Sequence, residues 1–333
     1  MARMLVVLLA FLLVNTEASA GAKARNLCVF DPSGANGDAF QMLRDYRTAA
    51  AGWGVQFKLK PYTDEKTASE DFKAGKCDAV VLTGTRVRRF QRFTGTIEAM
   101  GAIPTYRHLK RVVSSLANPK AAKLMKTGPF ETAAIFPGGS ILLFVNDRNI
   151  NTVEKLAGKR LAVLEYDTAS KVMAKHVGAS MVGADLGTFA GMFNNKNVAL
   201  CYAPATAYQA LELHKGVGKN GGVIRFPLAQ VTFQVLTRAE NFSDEFMKSS
   251  RSWAAQNFDR FLKLSMQAES TIPKAAWIEI PANDQARYEK MFQETRLRLR
   301  DDEKVYDSKM LSLLRKVRCK VDRGRSECAS KLE

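Results

Sequence analysis

Histidine is scarce in this 333-residue chain. The three residues, His108, His176 and His214, are scattered, and none has another His or Cys at ligand spacing. No metal site is therefore expected. No G-x-S-x-G, P-loop or H-E-x-x-H occurs, so the commonest hydrolase, nucleotide and zinc-protease signatures are absent. The lack of a C-x-x-C argues against a thioredoxin-type site or a zinc ribbon. Asp31 and Asp38 flank one loop, but carboxylates so spaced do not make a catalytic pair. Gly34-x-x-Gly37 lacks the third glycine of a dinucleotide fingerprint. We expect no enzyme and no cofactor. Beyond residue 20, no apolar run reaches the ~20 residues that a spanning helix needs.

What is present begins with an export signal. Arg3 is basic, residues 5–14 are apolar, and Ala18-Ser19-Ala20 is a small-residue cleavage site. Residues 1–20 read as a signal peptide cut after Ala20, which places the mature chain in the periplasm. No Cys follows the cut, so no lipid anchor is expected. The remaining length exceeds what one core usually holds, so two domains are expected. Fifty Lys and Arg against 33 Asp and Glu give a net charge of +17. That excess attracts anions and acidic surfaces such as anionic headgroups. Export, and the absence of a recognition motif, argue against nucleic acid.

Five cysteines can pair in an exported chain. Cys319 and Cys328 lie close together in a polar tail and suit a local bridge. Cys28 and Cys77 each open an apolar run. If those runs are neighbouring parallel strands, ~4.8 Å apart, their first residues come within disulfide reach. Cys201 is left as a buried thiol.

Strands alternate with helices from residue 26 to residue 84, which implies a parallel sheet with ligand loops at the carboxyl ends of its strands. Residues 132–136 and 141–145 read as two strands around Pro137-Gly138-Gly139, suited to a crossover between domains. Residues 223–226 and 231–236 read as two more, and 244–268 as one long amphipathic helix. The expected organisation is α/β: lobe 1 over 21–128, lobe 2 over 129–240, and a basic helical region over 241–333 packing across both. Four polar loops follow strand ends and would converge on one cleft. They nominate Asp31, Ser33, Asn36, Asp38, Thr83, Thr85, Arg86, Tyr166, Asp167 and Tyr202 as ligand-binding residues. Arg86 is the candidate anion anchor. Asp31 and Asp167 are the candidate cation anchors.

The order of these features resembles the periplasmic solute-binding proteins of TRAP-type transporters. The resemblance runs over roughly residues 26–270. It is carried by Glu70-Asp71-Phe72-Lys73-Ala74-Gly75-Lys76-Cys77-Asp78, by Leu156-Ala157-Gly158-Lys159-Arg160-Leu161-Ala162-Val163, and by the stretch from Gly178-Ala179 through Asn194-Asn195-Lys196-Asn197-Val198-Ala199. More narrowly, Cys28-Val29-Phe30-Asp31-Pro32, Phe144-Val145-Asn146-Asp147-Arg148 and Phe189-Ala190-Gly191-Met192-Phe193-Asn194-Asn195 are similar to a divergent subgroup of solute-binding proteins. Some of its members carry a label linking them to RND-type, aminoglycoside-related efflux. The resemblance implies a two-lobed binding-protein fold and a monomer that captures a small polar solute for an integral membrane transporter. It also implies a carboxylate-clamping Arg on the strand near residue 162, where this sequence has Ala162, with Arg160 two residues earlier. The competing reading is a non-catalytic periplasmic adaptor docked to an efflux or envelope complex.

Overall fold

The computed structural model describes residues 23–325 and 327–333. The expected signal peptide and its cleavage site lie outside the described residues. Among the described residues no helix is long and apolar enough to cross a membrane. The strands, in chain order, are β1 (Lys23–Phe30), β2 (Val55–Tyr62), β3 (Ala79–Thr83), β4 (Lys126–Thr127), β5 (Phe130–Val145), β6 (Arg160–Leu164), β7 (Ser180–Ala184), β8 (Leu200–Pro204), β9 (Gly222–Arg238) and β10 (Trp277–Ile278).

They form one mixed sheet in the order β2-β1-β3-β9-β5-β8-β6-β7. The outer trios, β2-β1-β3 and β8-β6-β7, are parallel. β5 and β9 run antiparallel between them along nearly their whole lengths. The carboxyl-terminal half of β9 pairs with β3, and the carboxyl-terminal half of β5 pairs with β8. Each long strand therefore belongs to both halves of the molecule.

These are the two places where the sequence suggests four shorter strands. The structure makes each pair continuous, and the turn residues become irregularities within a strand. The β5–β9 register shifts between Thr132 and Ala134, between Pro137 and Gly139, and between Ile141 and Leu143. Bulges of this kind bend a strand without ending it. Gly139 adopts φ +100°, a conformation open to glycine. A side chain at Gly138 would come within 2.8 Å of Val231. A bend that needs two glycines side by side is suited to a hinge.

Helices cover the sheet on both faces. Asp38–Ala51 buries Leu43, Tyr46 and Ala50 on one face, as its alternating spacing predicts. The long helix expected over 244–268 is two helices, Asp244–Gln256 and Phe258–Ser270. At the break, the Asn257 side-chain amide donates to the Trp253 carbonyl at 2.9 Å. That local bond offers the backbone an alternative to continuing the helix. β7 has no counterpart in the sequence reading, because four of its five residues are not buried and no apolar alternation marks it.

Two disulfides join Cys28 to Cys77 and Cys319 to Cys328, and Cys201 is free and buried. Cys77 lies just before β3, whose residue Val80 is in register with Cys28.

Candidate functional site

Between the two halves of the sheet lies a cavity of about 830 Å³, within the size range of small-molecule sites. Its hinge side is β5 and β9, through Pro137, Gly138 and Gln230. The first half contributes the ends of β1 and β3. The second half contributes β6, β8 and the helix Thr168–His176.

Eight of the ten nominated residues line this space: Asp31, Ser33, Asp38, Thr83, Thr85, Tyr166, Asp167 and Tyr202. Asn36 and Arg86 do not. Asn36 is exposed in a 3-10 turn. Arg86 is buried, with its Nε 3.5 Å from Glu65 and its guanidinium 3.5 Å above the Tyr166 ring. Arg88 lines the cavity instead. Residues 84–87 are helical, so residues two apart face opposite ways. The Thr83 N-cap, whose hydroxyl accepts from the Arg86 amide, is the signal that could have shown this.

Most of the charged groups that reach the cavity are occupied. The Asp31 carboxylate accepts from the amides of Ser33 and Phe40, capping the helix Asp38–Ala51. This fixes Gly37, because a Cβ there would sit 1.8 Å from the carboxylate. Glu98 accepts from the amides of Gly84, Thr85 and Thr232 and from both threonine hydroxyls, at 2.7 to 2.9 Å. Burial nevertheless pushes its pKa above the usual carboxylate value. Asp167 accepts from the Ala169 amide and the Ser170 hydroxyl, and lies 3.7 Å from Arg88. Asp38 has no such partner among the described residues and is exposed.

Three contacts close the cavity across the lobes. The Tyr166 hydroxyl donates to Glu65 at 3.2 Å, Arg86 stacks on the same ring, and Arg88 pairs with Asp167. Glu65 is fully buried and also accepts from the amide and hydroxyl of Thr83. Burial raises the Glu65 pKa and raises that of Tyr166 well above the ordinary tyrosine value. The phenol therefore remains a hydrogen-bond donor.

Much of the remaining wall is apolar. Leu161, Ala162, Leu164 and Met173 come from the second lobe, and Met291 and Phe292 from the helix Ala282–Asp301. Ala162 is buried against the cavity, whereas Arg160 is exposed. Tyr288, on that same helix, is a lining residue that the sequence reading missed. Its spacing of three and four from Met291 and Phe292 was a readable signal of one helix face. Its hydroxyl is buried and has no hydrogen-bond partner among the described residues. No cluster of three or more possible metal ligands occurs among the described residues.

A two-lobed mixed sheet crossed by two long strands, with an enclosed space between the lobes, defines a periplasmic-binding-protein fold. Solved TRAP periplasmic solute-binding proteins share it. One from Desulfovibrio salexigens, with bound orotic acid, superposes with a TM-score of 0.71 at 13% identity, covering 90% of this chain and 99% of that one. One from Haemophilus influenzae, with bound L-gulonate, gives 0.70 at 12% identity, covering 88% and 99%. The chain itself belongs to the solute-binding protein AdeT 1/2 family, whose model matches residues 48–333. A relative in Acinetobacter baumannii, named probable solute-binding protein AdeT1, is 40% identical over 90% of this chain and 99% of its own length.

Proposed function

We propose that this solute-binding protein captures a small solute between its lobes, in the periplasm after cleavage behind Ala20. It then presents the solute, as a monomer, to an integral membrane transporter. The observation that carries this reading is the cavity between lobes joined by bulged strands and closed by Tyr166, Arg86 and Arg88. Hinge closure needs such a bend on one side and such releasable contacts on the other. Asp31, Thr83, Thr85 and Asp167 shape the site, and Tyr202 braces it by accepting from the Leu164 amide at 3.1 Å. The role is binding, not catalysis. The charged lining groups accept from amides and hydroxyls or pair with one another, except Asp38.

Native mass spectrometry of the protein as purified from the periplasm tests the reading. The expected result is a mature mass beginning at Gly21 and a bound small molecule lost on denaturation. Solution scattering should show a more open particle once the molecule is removed. An unchanged particle, with no ligand bound, would favour the adaptor reading.

A further inference from the structure

A second concavity, a groove of about 710 Å³, adjoins the cavity, and Thr85, Arg88 and Tyr166 line both. Apart from Thr168, its other walls come from three segments distant in sequence: residues 89–93, 123–127 and 304–309. Its charge is lopsided. Three arginines and four lysines line it, against one acid, Asp307. That acid is occupied. Its carboxylate accepts from the amides of Lys309 and Met310 and caps the helix Ser308–Val321. The next acids along the chain, Asp302 and Glu303, lie outside the lining, and Asp301 pairs with Arg300.

The arginines are held as well. Arg88 and Arg89 pair with Asp167 and Glu70, and Arg92 donates to the Lys304 carbonyl at 3.0 Å. Lys123, Lys126, Lys304 and Lys309 are exposed and form no salt bridge among the described residues. Like charges gathered around one groove repel, and an anionic partner relieves that repulsion. Lysines are point charges on flexible stems, without the rigid fork by which arginine grips one fixed carboxylate. They suit a fluid array of phosphates.

Leu124 stands among these lysines. It is 37% exposed, one of four large hydrophobic side chains so open among the described residues. The exposure is built in. The side-chain amide of the buried Gln91 donates to the Leu124 carbonyl at 2.8 Å, and the neighbouring Met125 is packed in the core. A soluble anion would use the lysines and leave the leucine in water. A surface that is anionic outside and apolar beneath uses both.

We propose that this groove docks the protein onto an anionic membrane surface. The four lysines meet lipid phosphates, Leu124 enters the headgroup boundary, and the adjoining cavity is set beside the bilayer.

Co-sedimentation with vesicles tests this, using protein purified from the periplasm, at low salt. Vesicles of phosphatidylcholine and phosphatidylglycerol in equal parts should bind it, and vesicles of phosphatidylcholine alone should not. About 0.5 M NaCl should release it. Lys123→Glu/Lys126→Glu should weaken binding by about tenfold or more. Lys248→Glu/Lys263→Glu makes the same change in net charge at exposed lysines outside both concavities. It should weaken binding by less than about threefold. Leu124→Ala should weaken it about threefold without altering its salt dependence. All these side chains are exposed, so the urea midpoints should stay at the parent value. Equal losses from the two lysine pairs would reduce the effect to the overall charge of +17 and overturn the groove. Unchanged affinity in Leu124→Ala overturns insertion of the leucine. Binding of pyrophosphate or polyglutamate, with none to vesicles, overturns the membrane as partner in favour of a soluble anion or an acidic protein. No binding to any of these overturns the groove as a site, and leaves the solute-binding role of the cavity untouched.

Discussion

The two halves of the sheet are built alike and tied down unequally. In each, three parallel strands flank the crossing pair β5 and β9. The first half holds the Cys28–Cys77 bridge and a dense aromatic core, with Tyr46 contacting Trp53, Phe57, Phe136 and Trp253. The second half has no disulfide. Its Cys201 is free, its edge strand β7 is largely exposed, and its aromatic contacts fall into two small separate groups, Phe144 with Tyr208 and Phe226 with Tyr288 and Phe292, where the first half has the Tyr46 cluster. The contrast extends to the cleft. The first half supplies Asp31 and Glu98, whose carboxylates accept from backbone amides, and the second supplies Asp167 and much of the apolar wall. This asymmetry predicts that one half is the rigid platform and the other the moving cover.

The Cys28–Cys77 bridge tests that asymmetry most directly. It spans 49 residues, against nine for Cys319–Cys328. Loop-closure entropy makes the longer one worth about 4 kcal/mol and the shorter about 3 kcal/mol. Cys28→Ala/Cys77→Ala should therefore lose more stability in urea than Cys319→Ala/Cys328→Ala. Its faster hydrogen exchange should be concentrated in β1, β2 and β3. Equal losses, or protection lost first in β6 and β7, would break the platform picture.

Much of this contrast was legible in the chain. Parallel order, the polar loops at strand ends, and the cysteines at the start of apolar runs all follow from local pattern. The crossing strands were not legible, because Pro137-Gly138-Gly139 is a turn signal wherever it occurs. Only pairing with β9 turns it into a bulge. Arg86 and Arg88 exchanged places because the short helix at 84–87 reverses which side faces the cleft. Tyr288 was legible as one helix face with Met291 and Phe292, but that face carries no chemical motif that marks it as part of a cleft. The missing partner of the Tyr288 hydroxyl is a property of three-dimensional packing.

The C-terminal region supplies a carboxylate that titrates opposite to the buried Glu98 of the platform. Burial would raise the Glu327 pKa, but hydrogen bonding and charge from Arg318, with Arg325 and Arg296, outweigh it and hold the value at about 2. A depressed carboxylate stabilises the fold above its unfolded value of 4.5 and loses that contribution as pH falls toward 2. Glu327→Gln should therefore cost about 3 kcal/mol near neutrality, with the gap from the parent closing between pH 4.5 and 2. Glu98 has the opposite sign. Its raised value makes its contribution greatest below 4.5 and smaller as pH rises. The stability gap between the parent and Glu98→Gln should therefore shrink on going from acid toward neutral pH. Denaturant titrations across pH 2–7 check both slopes, and parallel slopes would erase the distinction.

The smallest effect concerns the contact that joins platform and cover. Tyr166→Phe removes the hydroxyl that donates to Glu65 but keeps the ring under Arg86. One neutral donor to a buried acceptor is worth about 1 kcal/mol, and Glu65 keeps its bonds from Thr83. Global stability should fall by no more than that. The same loss acts directly on the closed–open balance, where about 1 kcal/mol shifts the ratio roughly fivefold. Scattering of the ligand-free variant should show a larger radius of gyration than the parent, while its urea midpoint barely moves. A Tyr166→Phe protein that is destabilised but no more open would mean that this contact belongs to the folding core. A protein that opens without losing stability would place the contact in the latch between a fixed platform and a moving cover.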